Sequence, residues 1–329
     1  MGKSRIEYLD FAKAIGIILV VFNHLWQSSG KEDFIFLLIS SFHMPLFFFL
    51  SGLFFNVAKY TFVDFIYKRF RQLFIPCICF SLMVGITDLA LSDGLFFINM
   101  THKLPGAIWF LLILFIVEIL YWPIGYMLTN VKGKLRGGVA LCVVIILLIC
   151  GYMLQINGYG KSLYSLASVF YALMFYMIGN MSCDLLIGKG LNGNYEWWLH
   201  WLYIIVCGIS LCAIVMLFHV RTILINNTIS PLIPGIAASF LGIMLILLIS
   251  LQIEAVCSTQ IKGCLSSIGK NTLVIMSFHQ IYMKLFVEYF KMYFTSFVLY
   301  QSVKIFTMTL FLYIMVKLIN RQQKLLLGK

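Results

Sequence analysis

Ten apolar runs, each long enough to cross a bilayer as a helix, constrain this chain more than any other feature. They fall near residues 11–28, 34–56, 73–92, 106–128, 138–154, 163–181, 198–218, 232–253, 267–287 and 296–317. A hydrocarbon layer about 30 Å thick takes roughly 17–25 helical residues to span. Backbone N–H and C=O groups find no partner in hydrocarbon, so a spanning segment must be a helix or part of a closed barrel. Barrel strands would be about ten residues long and strictly alternating, which these runs are not. Composition agrees: 62% of the 329 residues are hydrophobic and 11% charged, against roughly 25% charged in soluble domains. The expected fold is all-α, a polytopic membrane protein of about ten transmembrane helices, with residues 1–329 forming a single transmembrane domain.

The net charge of +12 reads as membrane topology, with no nucleic acid implied. Ten spans place both termini on one side. The loops of that side hold fifteen cations: Lys3, Arg5, Lys59, Lys68, Arg69, Arg71, Lys132, Lys134, Arg136, Lys189, Lys262, Lys317, Arg321, Lys324 and Lys329. The other side holds five, Lys31, Lys103, Lys161, Arg221 and Lys291, and four (Lys13, Lys270, Lys284, Lys304) lie within or at the ends of spans. By the positive-inside rule both termini are cytoplasmic, and a multi-pass protein of a bacterial-type cytoplasmic (inner) membrane is expected. Residues 1–13 are too polar for a secretory leader, so the first run reads as a retained anchor. The nine cysteines are scattered through apolar runs without a CxxC pair. They read as small packing residues, not as a disulfide framework or zinc site.

Polar side chains inside spans are costly and therefore informative. The first span carries Asp10, Lys13, Asn23 and His24. Eleven residues at 100° each make three turns plus about 20°, so Lys13 and His24 share a face, about 16 Å apart. Asp10 is placed to pair with Lys13. Snorkelling of Lys13 to the headgroups is the plainer reading of that residue alone; Asn23 beside His24 favours a functional imidazole. The second span reads Phe42-His43-Met44-Pro45-Leu46-Phe47-Phe48-Phe49-Leu50-Ser51-Gly52. Pro45 there predicts a kink, and Ser51-Gly52 a close helix approach. The ninth span carries Gly269-Lys270-Asn271-Thr272-Leu273 and then His279. Counted from their expected starting sides, His24, His43 and His279 fall at similar depth in the outer half, which predicts a shared polar cavity. Paired ligand spacing is missing, so no metal is predicted.

Tyr67 to Pro76 is expected as a cytoplasmic loop. Its Lys68, Arg69 and Arg71 serve topology, or clamp a phosphate through forked donors. Trp109-Phe110-Leu111 sits near the outer surface, where an aromatic belt is the plain reading. Glu118, mid-span, is expected to be protonated or paired with a neighbouring helix. His102, His200 and His219 fall near surfaces.

These segments together resemble the acyltransferase-3 family, within it the fucose 4-O-acetylase-like branch. The likeness rests on Asp10-x-x-Lys13-x10-His24, on Phe42 to Gly52, on the basic stretch ending at Pro76, on Trp109-Phe110-Leu111, and on Gly269 to Leu273 ahead of His279. Residues 130–265 resemble it only as generic helices. Relatives usually carry Arg where Lys13 stands and Gly where Ala14 stands; Lys keeps the charge but not the planar fork. The resemblance implies ten helices, cytoplasmic termini, and transfer of an acyl group, usually acetyl, to a carbohydrate hydroxyl, with membrane lipids as surroundings. Acetyl-CoA would be the acyl donor, its phosphates on Lys68, Arg69 and Arg71. His24 would act as general base, Asp10 and Lys13 would order the inner end, and Asn23, His43, Ser51, Trp109 and His279 are candidates to line the cavity. Two other classes stay open: a carrier or flippase for a glycan or lipid-linked sugar, and an inactive scaffold of the same fold.

Overall fold

The computed structural model describes residues 6–27, 33–91, 108–159, 163–188, 197–287 and 297–321. His102 and the loop cations Lys3, Arg5, Lys31, Lys103, Lys161, Lys189, Lys291, Lys324 and Lys329 lie outside the described residues. The chain is helical almost throughout: α1 (Glu7–Gln27), α2 (Phe34–Ser40), α3 (His43–Leu53), α4 (Phe62–Arg69), α5 (Ile75–Leu91), α6 (Trp109–Asn130), α7 (Gly133–Ile156), α8 (Val169–Met181), α9 (Trp197–Phe218), α10 (Leu232–Val256), α11 (Thr259–Lys270), α12 (Thr272–Tyr282) and α13 (Phe297–Arg321). Among the described residues nine stretches are long and apolar enough to cross a membrane. The expected span at 267–287 is present in pieces. α11 and α12 meet at Asn271, and a π turn, Met283–Val287, follows.

The second expected span is also interrupted. α2 ends at Ser40 and α3 starts at His43, so Pro45 falls in the first turn of a new helix. A missing N–H costs nothing there, and the expected kink is instead a break. Freed backbone carbonyls in lipid must find donors. Ser239 of α10 donates its hydroxyl to Ser41 O at 2.6 Å, and the His43 ring takes Ile39 O at 2.9 Å.

The Tyr67–Pro76 stretch is helix, not loop. Thr61 caps α4, its Oγ1 accepting the Asp64 N–H at 3.2 Å. The helix then runs through a π segment, Phe70–Phe74, into α5. Pro76 has no N–H to give, and the shift to wider hydrogen-bond spacing just before it absorbs that loss. A charge run signals a membrane surface but not a chain reversal, which is why a loop was expected there.

α1 lies at the middle of the bundle, packed on α3, α10, α11 and α12. α3 packs tightly on α8. A Cβ on Gly52 would run into the Tyr176 carbonyl, and one on Gly179 into the Phe49 carbonyl, so each helix presents its glycine to the other's backbone. Asn180 ties the same contact, its amide donating to Gly52 O at 3.1 Å and Phe55 O at 2.9 Å. Between α9 and α10 a short hairpin pairs Arg221–Ile223 antiparallel with Thr228–Ser230. Gln155 of α7 holds it through both its amide groups, at 2.9 and 3.2 Å from Ile229 N and O.

Candidate active site

Three imidazoles meet where α1, the α2–α3 break and α12 come together. The His24 and His279 ring centroids are 5.2 Å apart, and His43 is close enough to His24 to interact with it electrostatically. A carbonyl can only accept, so the neighbours fix two tautomers. His43 Nδ1–H donates to Ile39 O at 2.9 Å. His279 Nδ1–H donates to Ile275 O at 3.1 Å, while its Nε2 accepts from the Gln280 amide at 2.7 Å. His24 differs from both. It is half-buried, and among the described residues its ring makes no side-chain hydrogen bond. Asn23, next to it, gives one amide N–H to Ser40 Oγ at 2.9 Å, and its buried Oδ1 has no protein partner. The cluster therefore holds two imidazoles anchored to the backbone and one whose ring makes no side-chain hydrogen bond to a described residue, beside a polar side chain with spare hydrogen-bonding capacity.

At the other end of α1, Lys13 Nζ lies 3.8 Å from the Asp10 carboxylate and 4.6 Å from the Phe54 ring centroid. The sequence placed Lys13 and His24 on one face, and both turn inward. The Gly269 motif explains itself here. A Cβ at Gly269 would strike the Asp10 carbonyl, so glycine lets the end of α11 rest directly on the backbone of α1.

The basic stretch borders the same end of α3. Phe54 carries Lys13, and its neighbour Phe55 stacks edge-on to Phe65 at 5.5 Å, which in turn lies 5.3 Å from the Arg69 guanidinium. The three cations are not equivalent. Arg69 Nε approaches Glu118 Oε2 to 2.7 Å, but its N–H is not aimed along that line, so the contact is an ion pair without hydrogen-bond geometry. Arg69 Nη1 also donates to Gln72 at 3.1 Å, and Tyr176 Oη faces the other Glu118 oxygen at 3.4 Å. Lys68 donates to Tyr60 Oη at 2.6 Å; that bond lowers the Tyr60 pKa from its ordinary value, because the ammonium favours the phenolate. Arg71 is exposed and its guanidinium lies 5.9 Å from the Tyr67 ring.

Ser51 and Trp109 are held by partners within the bundle. Ser51 bonds back to Phe47 O at 2.8 Å, within its own helix. Trp109 is buried and packs 6.4 Å from Phe48, so it belongs to the bundle interior and not to an interfacial belt. Two residues were not foreseen. Gln280 fixes His279, as above. Lys304 of α13 is fully buried and gives its ammonium to Leu25 O at 2.9 Å, next to His24. It satisfies a carbonyl of the last turn of α1 with favourable charge; a lysine within an apolar run was its only signal. Among the described residues no group of His, Cys, Asp or Glu is arranged to hold a metal ion.

The Arg69–Glu118 pair carries a stability prediction. Glu118→Ala strands a guanidinium in the bundle and should cost about 3 kcal/mol, the low end for a broken buried pair because Arg69 keeps 22% of its side chain exposed. The double variant Arg69→Met/Glu118→Leu should recover most of that loss. Thermal unfolding of the three proteins in one detergent checks it; a double variant no better than the single would show that charge is not the cause.

No curated protein and no solved structure matches the chain. Residues 6–318 match the family model described as an acyltransferase domain. That match takes in the α1 polar face, the α2–α3 break, the basic helix and the Gly269–His279 segment alike, and the chain belongs to the acyltransferase-3 family of membrane acyltransferases.

Proposed function

We propose that this protein is an O-acetyltransferase that moves an acetyl group from acetyl-CoA on the cytoplasmic side to a hydroxyl of a carbohydrate, with His24 as general base. One observation carries the reading. Among the described residues the His24 ring makes no side-chain hydrogen bond, and it is held against His279 on the helix face that also bears Lys13. An uncommitted ring nitrogen can take a proton, and imidazole does so near neutral pH.

In the proposed reaction His24 removes the proton from the acceptor hydroxyl. The oxygen attacks the thioester carbonyl, the C–S bond breaks, and the imidazolium returns its proton to the departing thiolate. The developing oxyanion needs a donor. His279 has spent its N–H on Ile275 O, whereas Asn23 keeps one amide N–H beyond the one given to Ser40, so Asn23 takes that role. His43 and His279 set the polarity of the cavity, and Asp10 and Lys13 order its inner end. Exposed Arg71, with Lys68, meets the phosphates of the donor, and Arg69 is held in line with them by Glu118. Both termini are cytoplasmic in this reading, which the fifteen-to-five distribution of cations supports.

Incubating purified protein with labelled acetyl-CoA and a panel of carbohydrates tests the activity directly. Arg71→Gln should raise the KM for acetyl-CoA about tenfold, the loss of one charge-assisted phosphate contact, and leave the acceptor KM unchanged. A donor KM equal to that of the parent protein would return Arg71 to a purely topological role. One observation favours a second reading, a carrier for an unmodified glycan or lipid-linked sugar. Interrupted helices occur in both halves of the chain, at Ser41–Phe42 and at Asn271, as they do in many transporters. Movement of labelled sugar into vesicles without acylation would select that reading.

A further inference from the structure

Between α1, α11, α12 and α13 runs a cavity of about 490 Å³ with an almost wholly apolar lining. It is separate from the histidine cluster but shares its walls. Leu25 lines it and follows His24; Ile275 lines it and supplies the carbonyl that orients His279.

Two contacts fix its depth. Lys304 bonds Leu25 O, so Ile305, the first lining residue of α13, lies level with the outer end of α1. Gly269 rests on Asp10, so Ile268 and Asn271 mark the end of the cavity nearer the start of α1, where the lining on that helix begins at Ile17. Along α13 the lining runs from Ile305 to Val316, eleven residues or about 16 Å. That is close to the thickness of one leaflet, about 15 Å. Ile18 and Thr309, both lining residues, are exposed on the outside of the bundle, so the cavity is a groove open sideways to lipid.

We infer that this groove holds the hydrocarbon tail of the acceptor, which is therefore a lipid-linked carbohydrate. The inference rests on the acetyltransferase reading and narrows it. A molecule whose sugar reaches His24 from the outer side and whose tail descends into the membrane meets this groove at the level of the histidines and follows it inward. Apolarity alone gives no preference, because lipid tails are as apolar as leucine; continuity with the histidine cluster and the matching length single out this occupant.

The test uses full-length protein in lipid nanodiscs with three probes carrying the same tail diazirine: an alkyl glycoside, a diacyl phospholipid and a long-chain acyl-CoA. Light should fix the glycoside probe to peptides of α1 and α13. Excess unlabelled alkyl glycoside should suppress that labelling, and so should Thr309→Trp, which fills the groove from an exposed position, by about tenfold, a loss of one decade in occupancy. Equal labelling by the phospholipid would make the groove a bilayer-lipid site. Preferential labelling by acyl-CoA would make it a donor-chain site, and labelling spread evenly over all the helices would mean no site; each overturns the proposal. In turnover assays Thr309→Trp should raise the KM about tenfold for the tailed acceptor and leave that for the tail-free sugar unchanged. This variant comparison is the informative one, since any tail concentrates an acceptor in the membrane. Because cross-linking needs no turnover, labelling of the groove without acetyl transfer would sink the enzymatic reading alone. Transfer to both sugars with an unlabelled groove would sink only the tail.

Discussion

Replacing His24 by alanine is expected to lower kcat for acetyl transfer by about 10²–10⁴, the range a positioned general base contributes, while the protein inserts, purifies and unfolds like its parent. The separation of activity from stability comes from the hydrogen-bond pattern. His24 bonds no described residue through its side chain, so the fold loses little with it. His24→Gln keeps bulk and polarity but cannot take a proton, and should be equally inactive. His43 and His279 behave differently. Each ring anchors itself to a backbone carbonyl, Ile39 and Ile275 respectively, and losing such a bond together with the packed ring costs about 1 kcal/mol or more. Alanine at either position should therefore lower thermal stability as well as rate. Rapid-quench assays on labelled acetyl-CoA beside thermal unfolding separate the two patterns. An active His24→Ala protein would remove His24 from the chemistry.

Gly52→Val should prevent assembly altogether. Its first side-chain atom would occupy the position of the Tyr176 carbonyl, and backbone cannot yield as a flexible side chain can. α3 would have to withdraw from α8, losing the reciprocal approach at Gly179 and the Asn180 bonds to Gly52 and Phe55. Losses above about 4 kcal/mol are reserved for changes of this kind, and little of a membrane bundle's stability can absorb one. Gly52→Ala should be milder only in degree, because the clash begins at Cβ. Gel filtration of a fluorescent fusion in detergent reads the outcome; a monodisperse peak with the parent's unfolding temperature would show that the helices repack.

The layout of the spans was legible because hydrocarbon thickness and the missing solvent for backbone groups leave so few solutions. The common face of Lys13 and His24 was legible from helical periodicity alone. What stayed hidden depends on partners far along the chain. Nothing local to Arg69 points to Glu118, and one of the three cations that suggested a phosphate clamp is committed to that carboxylate. Nothing local to Ser41 shows that Ser239 will satisfy its carbonyl and so permit a break. Trp109 looked interfacial because tryptophan at a span end usually is, whereas the packing of Phe48 and Phe110 encloses it. The burial of Lys304 depends on Leu25, which lies on a different helix.

Two peripheral helices carry little of the packing that constrains the rest of the bundle. In α7 and α9 only 17% and 11% of the most apolar window is buried in protein, so much of each helix faces outward, where bilayer would lie. Acyl chains accept any aliphatic or aromatic residue with near indifference, so these helices answer to length and greasiness and hardly at all to side-chain identity. A saturation scan should therefore find two populations: an intolerant ring on α1, α3, α8 and α12, and an outer pair where Leu, Ile, Val and Phe are interchangeable. Motif-based recognition of distant cousins will draw its signal from the former, and a redesign for solubility in a new detergent can be confined to the latter.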